Sequence, residues 1–460
     1  MMTSILTRPA LSACIAAAML AGCGRESATP LSPSLAGVST DRGRPDNDGF
    51  GTPYALTTSS KETVLHSFGG PDGAGPSTGM IAGKAGTFYG TTAFGGTGNG
   101  TVFELTPDGS GYAESVLYNF KGGYDGSAPE GVILHDGVLY GATFLGGNPN
   151  GNGGIGWGTV FKLAAGKSGY TESVLDRFRG GTDAWEPNGP IVIDRAGSIY
   201  GSSGFGGSQN AGAVFKLTPS GSGYVESVLY SFPGGTGGEL PQAGLTIDKH
   251  ESIYGTTMYG GSNEGDCYSG GCGTVFKLTL GESGYSERVI YAFAGRPDGN
   301  LPFGAVAVDD RTGAVYGTTY WGGTEGVGSL FKLTRRGSTY ADTVLHSFTG
   351  KGDGFLPEGT PLLKSNGTVY GTASIGGDDC HGIGCGTVFE VTPVKSGYSF
   401  RAIYDFPTPG KGAEPQQTDL LTDATGALYG TTQSGGKKTN CADGGPGGAK
   451  GCGVVFKIVP

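Results

Sequence analysis

The pair Tyr-Gly recurs at Tyr89, Tyr140, Tyr200, Tyr254, Tyr316, Tyr370 and Tyr429, at spacings of 51, 60, 54, 62, 54 and 59 residues. Each pair opens the same sentence: an apolar residue, Tyr-Gly, small hydroxylated residues, Gly-Gly, then a run such as "GTVFKL". Repetition at this period constrains the fold more than any other feature, because each unit must bury its apolar face against the next copy. Every copy holds four strand-like runs. In the fourth they are "GLTID" (244–248), "SIYGTT" (252–257), "GTVFKLT" (273–279) and "ERVIYAF" (287–293), bounded by Gly, Asp or Pro. Four strands in one such unit exceed a β-helix coil and suit a propeller blade. The predicted fold is all-β: a seven-bladed β-propeller of four antiparallel strands per blade, A innermost to D outermost.

The ends of the repeat region predict how the ring closes. It begins with "TVLHSF" (63–68), a D-type strand, and finishes with "GVVFKIV" (453–459), a C-type strand. The first strand can therefore complete the last blade, which removes the open edges of a solenoid.

Residues 1–22 read as a lipoprotein signal: Arg8, an apolar stretch over 10–20 that is too short to span a bilayer, and Leu20-Ala21-Gly22-Cys23. That tetrad resembles the bacterial lipobox, which implies lipidation of Cys23; Gly24 leans towards outer-membrane sorting. Residues 23–60 read as a Ser/Thr/Pro/Gly-rich tether and 61–460 as the propeller. The "LYGTTxxGGxxxxGTVFKL" core resembles the GloVer tandem repeat of exported, anchored bacterial proteins. The resemblance covers 61–460 and implies export and repetition rather than an activity.

Cys14 leaves with the signal. The six further cysteines fall as Cys267 and Cys272, Cys380 and Cys385, and Cys441 and Cys452, each pair within one predicted B–C loop. In an exported chain these read as disulfides rather than metal ligands. The glycine of Tyr-Gly is expected where one blade's backbone approaches its neighbour. The prolines before strand A (Pro76, Pro129, Pro187, Pro241, Pro302, Pro357, Pro415) read as loop punctuation, and the Asp-Gly pairs at 72, 125, 298 and 353 as turns rather than calcium loops.

In a propeller the B–C and D–A loops share one face; here they are long, while the A–B turns are short. All three tryptophans fall in them: Trp157 and Trp321 in B–C loops, Trp185 in a D–A loop. With Tyr259 they are the candidate contacts for a glycan or another flat ligand. The alternative for such rings is packing between blades. The five histidines (His66, His135, His250, His346, His381) do not recur at one repeat position, and no nucleophile elbow, Walker loop or HExxH occurs. Glu130, Glu186, Glu239, Glu358 and Glu414 in the D–A loops could supply the paired acids of a glycosidase or lyase. The residues rank a binding module for an envelope glycan or protein first, a structural surface protein second and an enzyme third. The expectation is a membrane-anchored monomer with no cofactor and no metal. A net charge of −10 argues against nucleic acid.

Overall fold

A computed structural model describes residues 60–460 except 263–265, 268–269, 283, 378–383, 408, 437–440 and 442–450. Seven four-stranded antiparallel sheets follow one another around a ring. Within a blade the order is A-B-C-D; in blade 4 these are Thr246–Ile247, Ile253–Thr257, Thr274–Gly281 and Gly284–Ala292. Blade 7 takes strands A to C from Leu421–Thr422, Leu428–Thr432 and Val454–Val459, and strand D from Lys61–Ser67, paired Lys61↔Val459 through Ser67↔Val454. The N-terminal strand thus closes the ring.

The Tyr-Gly glycine has a different reason from the one expected. In every blade it pairs across to the phenylalanine of strand C, as Gly90↔Phe103 and Gly371↔Phe389 do. A Cβ at Gly90, Gly141, Gly201, Gly255, Gly317, Gly371 or Gly430 would lie 2.3–2.6 Å from that ring's Cζ. The glycine is a seat for a phenylalanine of its own blade, not a point of contact with the next.

Blade-to-blade approach falls to another glycine, the one that opens "GTVF". Gly100, Gly158, Gly212, Gly273, Gly328, Gly386 and Gly453 have φ between +90° and +114°. A Cβ on each would meet the proline of the following blade at 2.3–2.6 Å (Pro129, Pro187, Pro241, Pro302, Pro357, Pro415 and, across the closure, Pro76). The prolines are therefore seam contacts as well as loop punctuation.

Three further devices bind the seams. Strand C's phenylalanine meets the last phenylalanine of the preceding blade edge to face, from Phe68–Phe103 at 5.1 Å round to Phe406–Phe456 at 5.2 Å. The first hydroxyl of the Tyr-Gly-Thr-Thr run donates to the next blade's backbone: Thr256 to Gly304 O, Thr318 to Gly359 O, Thr372 to Pro415 O, and Thr431 to Thr78 O across the closure, at 3.0–3.2 Å. The residue just before each seam proline donates its N–H at 2.8–3.1 Å to a carbonyl in the preceding blade's B–C loop, as Leu356 does to Val327.

Two tests follow from these seams. Phe348→Ala should cost about 3–5 kcal/mol, because the ring is fully buried between blades. Gly328→Ala should cost about 1–3 kcal/mol through a left-handed φ and a clash with Pro357. Urea unfolding of the 61–460 fragment checks both; wild-type stability in either variant contradicts the packing described.

Candidate ligand-binding site

The inner ends of the blades are shaped by one repeated backbone event. The residues preceding the seam prolines (Gly75, Ala128, Glu186, Leu240, Leu301, Leu356 and Glu414) all have φ between +53° and +61°. Six are not glycine, and a left-handed residue costs roughly 1–2 kcal/mol, more so before proline. The N–H bond to the neighbouring blade holds each in place. The residue after the proline then stands within strand A in blades 2 and 3 and four or five residues before it in the other five. These residues are Ser77, Glu130, Asn188, Gln242, Phe303, Glu358 and Gln416.

A small cavity, partly continuous with solvent, is lined by the segments that lead into or form strand A in six blades, including Thr78, Gln242, Phe303, Glu358 and Asp419. Equivalent segments from six blades meet only on the ring's axis, so this is the mouth of the central channel. Below it glycines bring neighbouring backbones together: a Cβ on Gly189 would meet Gly244 N, and one on Gly359 would meet Thr418 O.

Gln242 and Glu358 line the cavity; Asn188 is next to its lining residue Gly189, and Glu130 holds the equivalent repeat position in blade 2. Glu130, Asn188, Gln242 and Glu358 are buried at 2–6% exposure. Neither amide atom of Asn188 has a hydrogen-bond partner, and neither does Oε1 of Gln242. Burying such groups without partners costs about 1–3 kcal/mol each. Burial pushes the Glu130 carboxyl up to about 7 against a hydrogen bond from the Gly189 N–H. Burial, with the nearby Glu414 charge, likewise takes Glu358 to about 7, although the Ser374 hydroxyl donates to it at 2.8 Å. Asp419 is also raised by burial, opposed by a 2.9 Å bond from the Thr360 N–H.

Of the other acids expected in the D–A loops, Glu186 accepts from Asn152 Nδ2 and Glu414 from the Ser434 hydroxyl, both at 2.8 Å and both buried. Glu239 is half-buried. Glu130 and Glu358 follow their prolines into the ring of channel-mouth positions; Glu186 and Glu414 precede theirs. The amides Asn188 and Gln242 were not singled out from the sequence. The signal that finds them is position: each stands just after a seam proline.

The four candidate aromatics are half-buried; Trp157 and Tyr259 lie in loops, whereas Trp185 stands at the start of the long strand Ala184–Ile193 and Trp321 belongs to the short strand Trp321–Gly322, because both pair with backbone across the loop. Trp185 stacks on Phe205 at 4.7 Å and 20°, with its Nε1 buried and unpartnered. Trp321 meets Tyr320 edge-on at 5.1 Å. Trp157 covers Gly151 and Gly180, and Tyr259 covers Gly270. Trp157 and Trp185 pack against one core cluster of blades 2 and 3.

Disulfides join Cys267 to Cys272 and Cys441 to Cys452, with Cα–Cα distances of 4.9 and 5.4 Å. Cys385 is disulfide-bonded too; Cys380 lies outside the described residues, as do His381, Cys23, the signal and all but the last residue of the expected tether. Cys272, Cys385 and Cys452 take the repeat position that Trp157 holds in blade 2, so each plug of the B–C loop is either a bridge or a side chain. The D–A aspartates cap their own turns: Asp72 accepts from Gly69 N at 2.7 Å, Asp125 from Lys121 N at 2.7 Å, Asp298 from Ala294 N at 3.0 Å and Asp353 from Thr349 N at 2.9 Å.

The Gloeobacter/Verrucomicrobia repeat profile matches residues 32–268 and 265–460. No curated protein matches the sequence. Among solved structures, a proposed 6-phosphogluconolactonase from Bacteroides fragilis is similar over 72% of this chain and 84% of its own, at 12% identity and a TM-score of 0.49. A protein of unknown function from Dyadobacter fermentans is similar over 75% of this chain and 98% of its own, at 13% identity and a TM-score of 0.41. These likenesses concern the fold alone.

The bridges should contribute locally. Cys267→Ser with Cys272→Ser closes no long loop and should cost about 2 kcal/mol. Calorimetry should show a lowered but still single transition. Loss of cooperative unfolding would mean that the bridge holds the ring itself.

Proposed function

The chain belongs to the Gloeobacter/Verrucomicrobia repeat family, and from that premise we propose that it is an exported, lipid-anchored propeller that binds an envelope ligand at the channel mouth on its D–A and B–C face. The observation that carries this reading is a pair of buried amides: Gln242, which lines the axial cavity with its Oε1 unpartnered, and Asn188, next to the lining residue Gly189, with both amide atoms unpartnered. A ring of left-handed residues just outside them is the kind of strain that accumulates at binding sites.

The chemistry favours a glycan. Amides and carboxyls that are neutral below pH 7 offer both donors and acceptors without a fixed charge, as hydroxyl groups require. Trp157, Trp185, Trp321 and Tyr259, on the same face, are placed to stack on sugars further along. Bridged loops fit an extracytoplasmic address, and the lipobox supplies the anchor at Cys23.

A carbohydrate-active hydrolase or lyase is the second reading. Glu358, with a carboxyl near 7 and Glu414 close enough to raise it, favours that reading.

A glycan array with the 61–460 fragment should give selective binding. Asn188→Leu and Gln242→Leu should each weaken it at least tenfold while leaving the melting temperature unchanged or higher, because an apolar side chain relieves the unpaired burial. Undiminished affinity in both would place the site elsewhere; turnover of the bound glycan, lost in Glu358→Gln, would favour the enzyme. For the anchor, Cys23→Ser should move the full chain from the membrane to the soluble fraction. A mutant that fractionates as wild type does contradicts lipidation.

A further inference from the structure

The seam between blade 7 and blade 1 brings together three side chains of different elements that can each ligate a metal ion. His66 stands near the end of the closing strand Lys61–Ser67, Asp72 in the D–A link that follows it, and Glu114 in strand D of blade 1, Gly111–Asn119. One ligand atom from each lies within 4.8 Å of the other two. His66 Nε2 is 3.0 Å from Asp72 Oδ2, and the Gly69 N–H donates to Asp72 Oδ1 at 2.7 Å. The backbone bond orients the carboxylate and leaves Oδ2 turned towards the imidazole, as outer-shell bonds do for metal ligands.

Every other seam lacks a member of this set. At the register of His66 stand Tyr118, Asp176, Tyr230, Tyr291, His346 and Tyr404. At the register of Glu114 the blades that face them offer Glu172, Glu226, Glu287, Asp342, Phe400 and Glu62. Five seams therefore have the acid without an imidazole. The sixth has the imidazole, with His346 Nε2 3.0 Å from Asp353 Oδ2, but Phe400 replaces the acid and stacks on the histidine at 3.7 Å. Only the seam at the closure unites a ring nitrogen with two carboxylates.

The charge there calls for a cation. Oε1 of Glu114 is buried without a hydrogen-bond partner. Among the described residues no Lys or Arg forms an ion pair with Glu114 or Asp72, whereas Glu62, on the other side of blade 7, has Lys411 at 3.3 Å. A bare oxygen recurs in Glu172, Glu226, Glu287 and Asp342, but no imidazole stands beside those to complete a ligand set. We propose that His66, Asp72 and Glu114 bind one divalent transition-metal ion of the zinc type, and that the ion fastens the closing strand to blade 1.

Imidazole nitrogen with two carboxylates suits zinc and its neighbours, whereas calcium and magnesium take oxygen ligands. Tetrahedral bonds of about 2.0–2.1 Å set neighbouring ligand atoms about 3.3 Å apart. The His66–Asp72 contact already has nearly that spacing, and Glu114 has to swing by about 1.5 Å at most. The side chains of His66 and Asp72 are 18% and 29% exposed, which gives an ion a path in and leaves the fourth position to water. The hydrogen bonds of the closing strand run to Val454–Val459 within blade 7; the ion adds a bond from that strand to the next blade.

The test is zinc binding to the full chain, purified without a polyhistidine tag and stripped with a chelator. Titration calorimetry with zinc chloride should find a site whose affinity falls at least tenfold in His66→Ala and in Glu114→Gln. Zinc should raise the melting temperature of wild type by several degrees and that of neither variant; magnesium should raise none. Glu114→Gln keeps the shape of the side chain and removes no hydrogen bond from Oε1, so it should fold without metal as wild type does and carries the test alone if His66→Ala does not fold. His346→Ala should leave zinc binding intact. Anomalous diffraction at the zinc edge should place the ion between His66 and Glu114. The absence of any zinc response in wild type, or a response that persists in Glu114→Gln, overturns the proposal.

Discussion

Everything in this ring hangs on phenylalanine meeting phenylalanine across a seam. Seven edge-to-face pairs, 5.0–5.3 Å between centroids, run once around the molecule and include the closure. Each pair buries two large rings, so the apolar contribution is concentrated where neighbouring blades touch. The rest of the repeat reads as provision for that contact. The Tyr-Gly glycine clears space for one ring; a bulge in strand D, at Leu117 in blade 1 and its equivalents, turns the chain before the other. The Tyr of the same motif is held at its hydroxyl by the A–B turn aspartate (Tyr254 to Asp248, 3.1 Å) and capped by the lysine of "FKL" (Lys277, 4.8 Å).

Towards the axis the seams change character. Apolar rings give way to hydroxyl-to-backbone bonds, then to glycine against proline, and finally to buried polar side chains, among which Asn188 and Oε1 of Gln242 lack partners. Rigid packing outside is what allows six non-glycine residues to be kept left-handed inside, and two of those residues, Leu240 and Leu356, in turn bring Gln242 and Glu358 to the mouth.

The repeat, the strand count, the strand order and the closure by residues 63–68 were all legible, because period and phase are properties of the sequence itself. The residue-level reasons were less so. Glycine in mid-strand signals close approach but not what approaches, and here the answer was a phenylalanine on the adjacent strand of the same sheet. The seam glycine hid inside "GTVF", where it looked like a strand boundary. Asn188 and Gln242 were invisible for a different reason: the residue after each proline varies from blade to blade, so no motif marks it. The tryptophans drew attention by rarity, whereas the mouth is built from commoner side chains.

Closure by the first strand also sets an orientation. Strand D runs from the face of short turns to the face of long loops, so Lys61 stands on the side opposite the channel mouth. The first and last strands of the fold thus meet side by side in one sheet while the strand that completes it enters from the face of short turns.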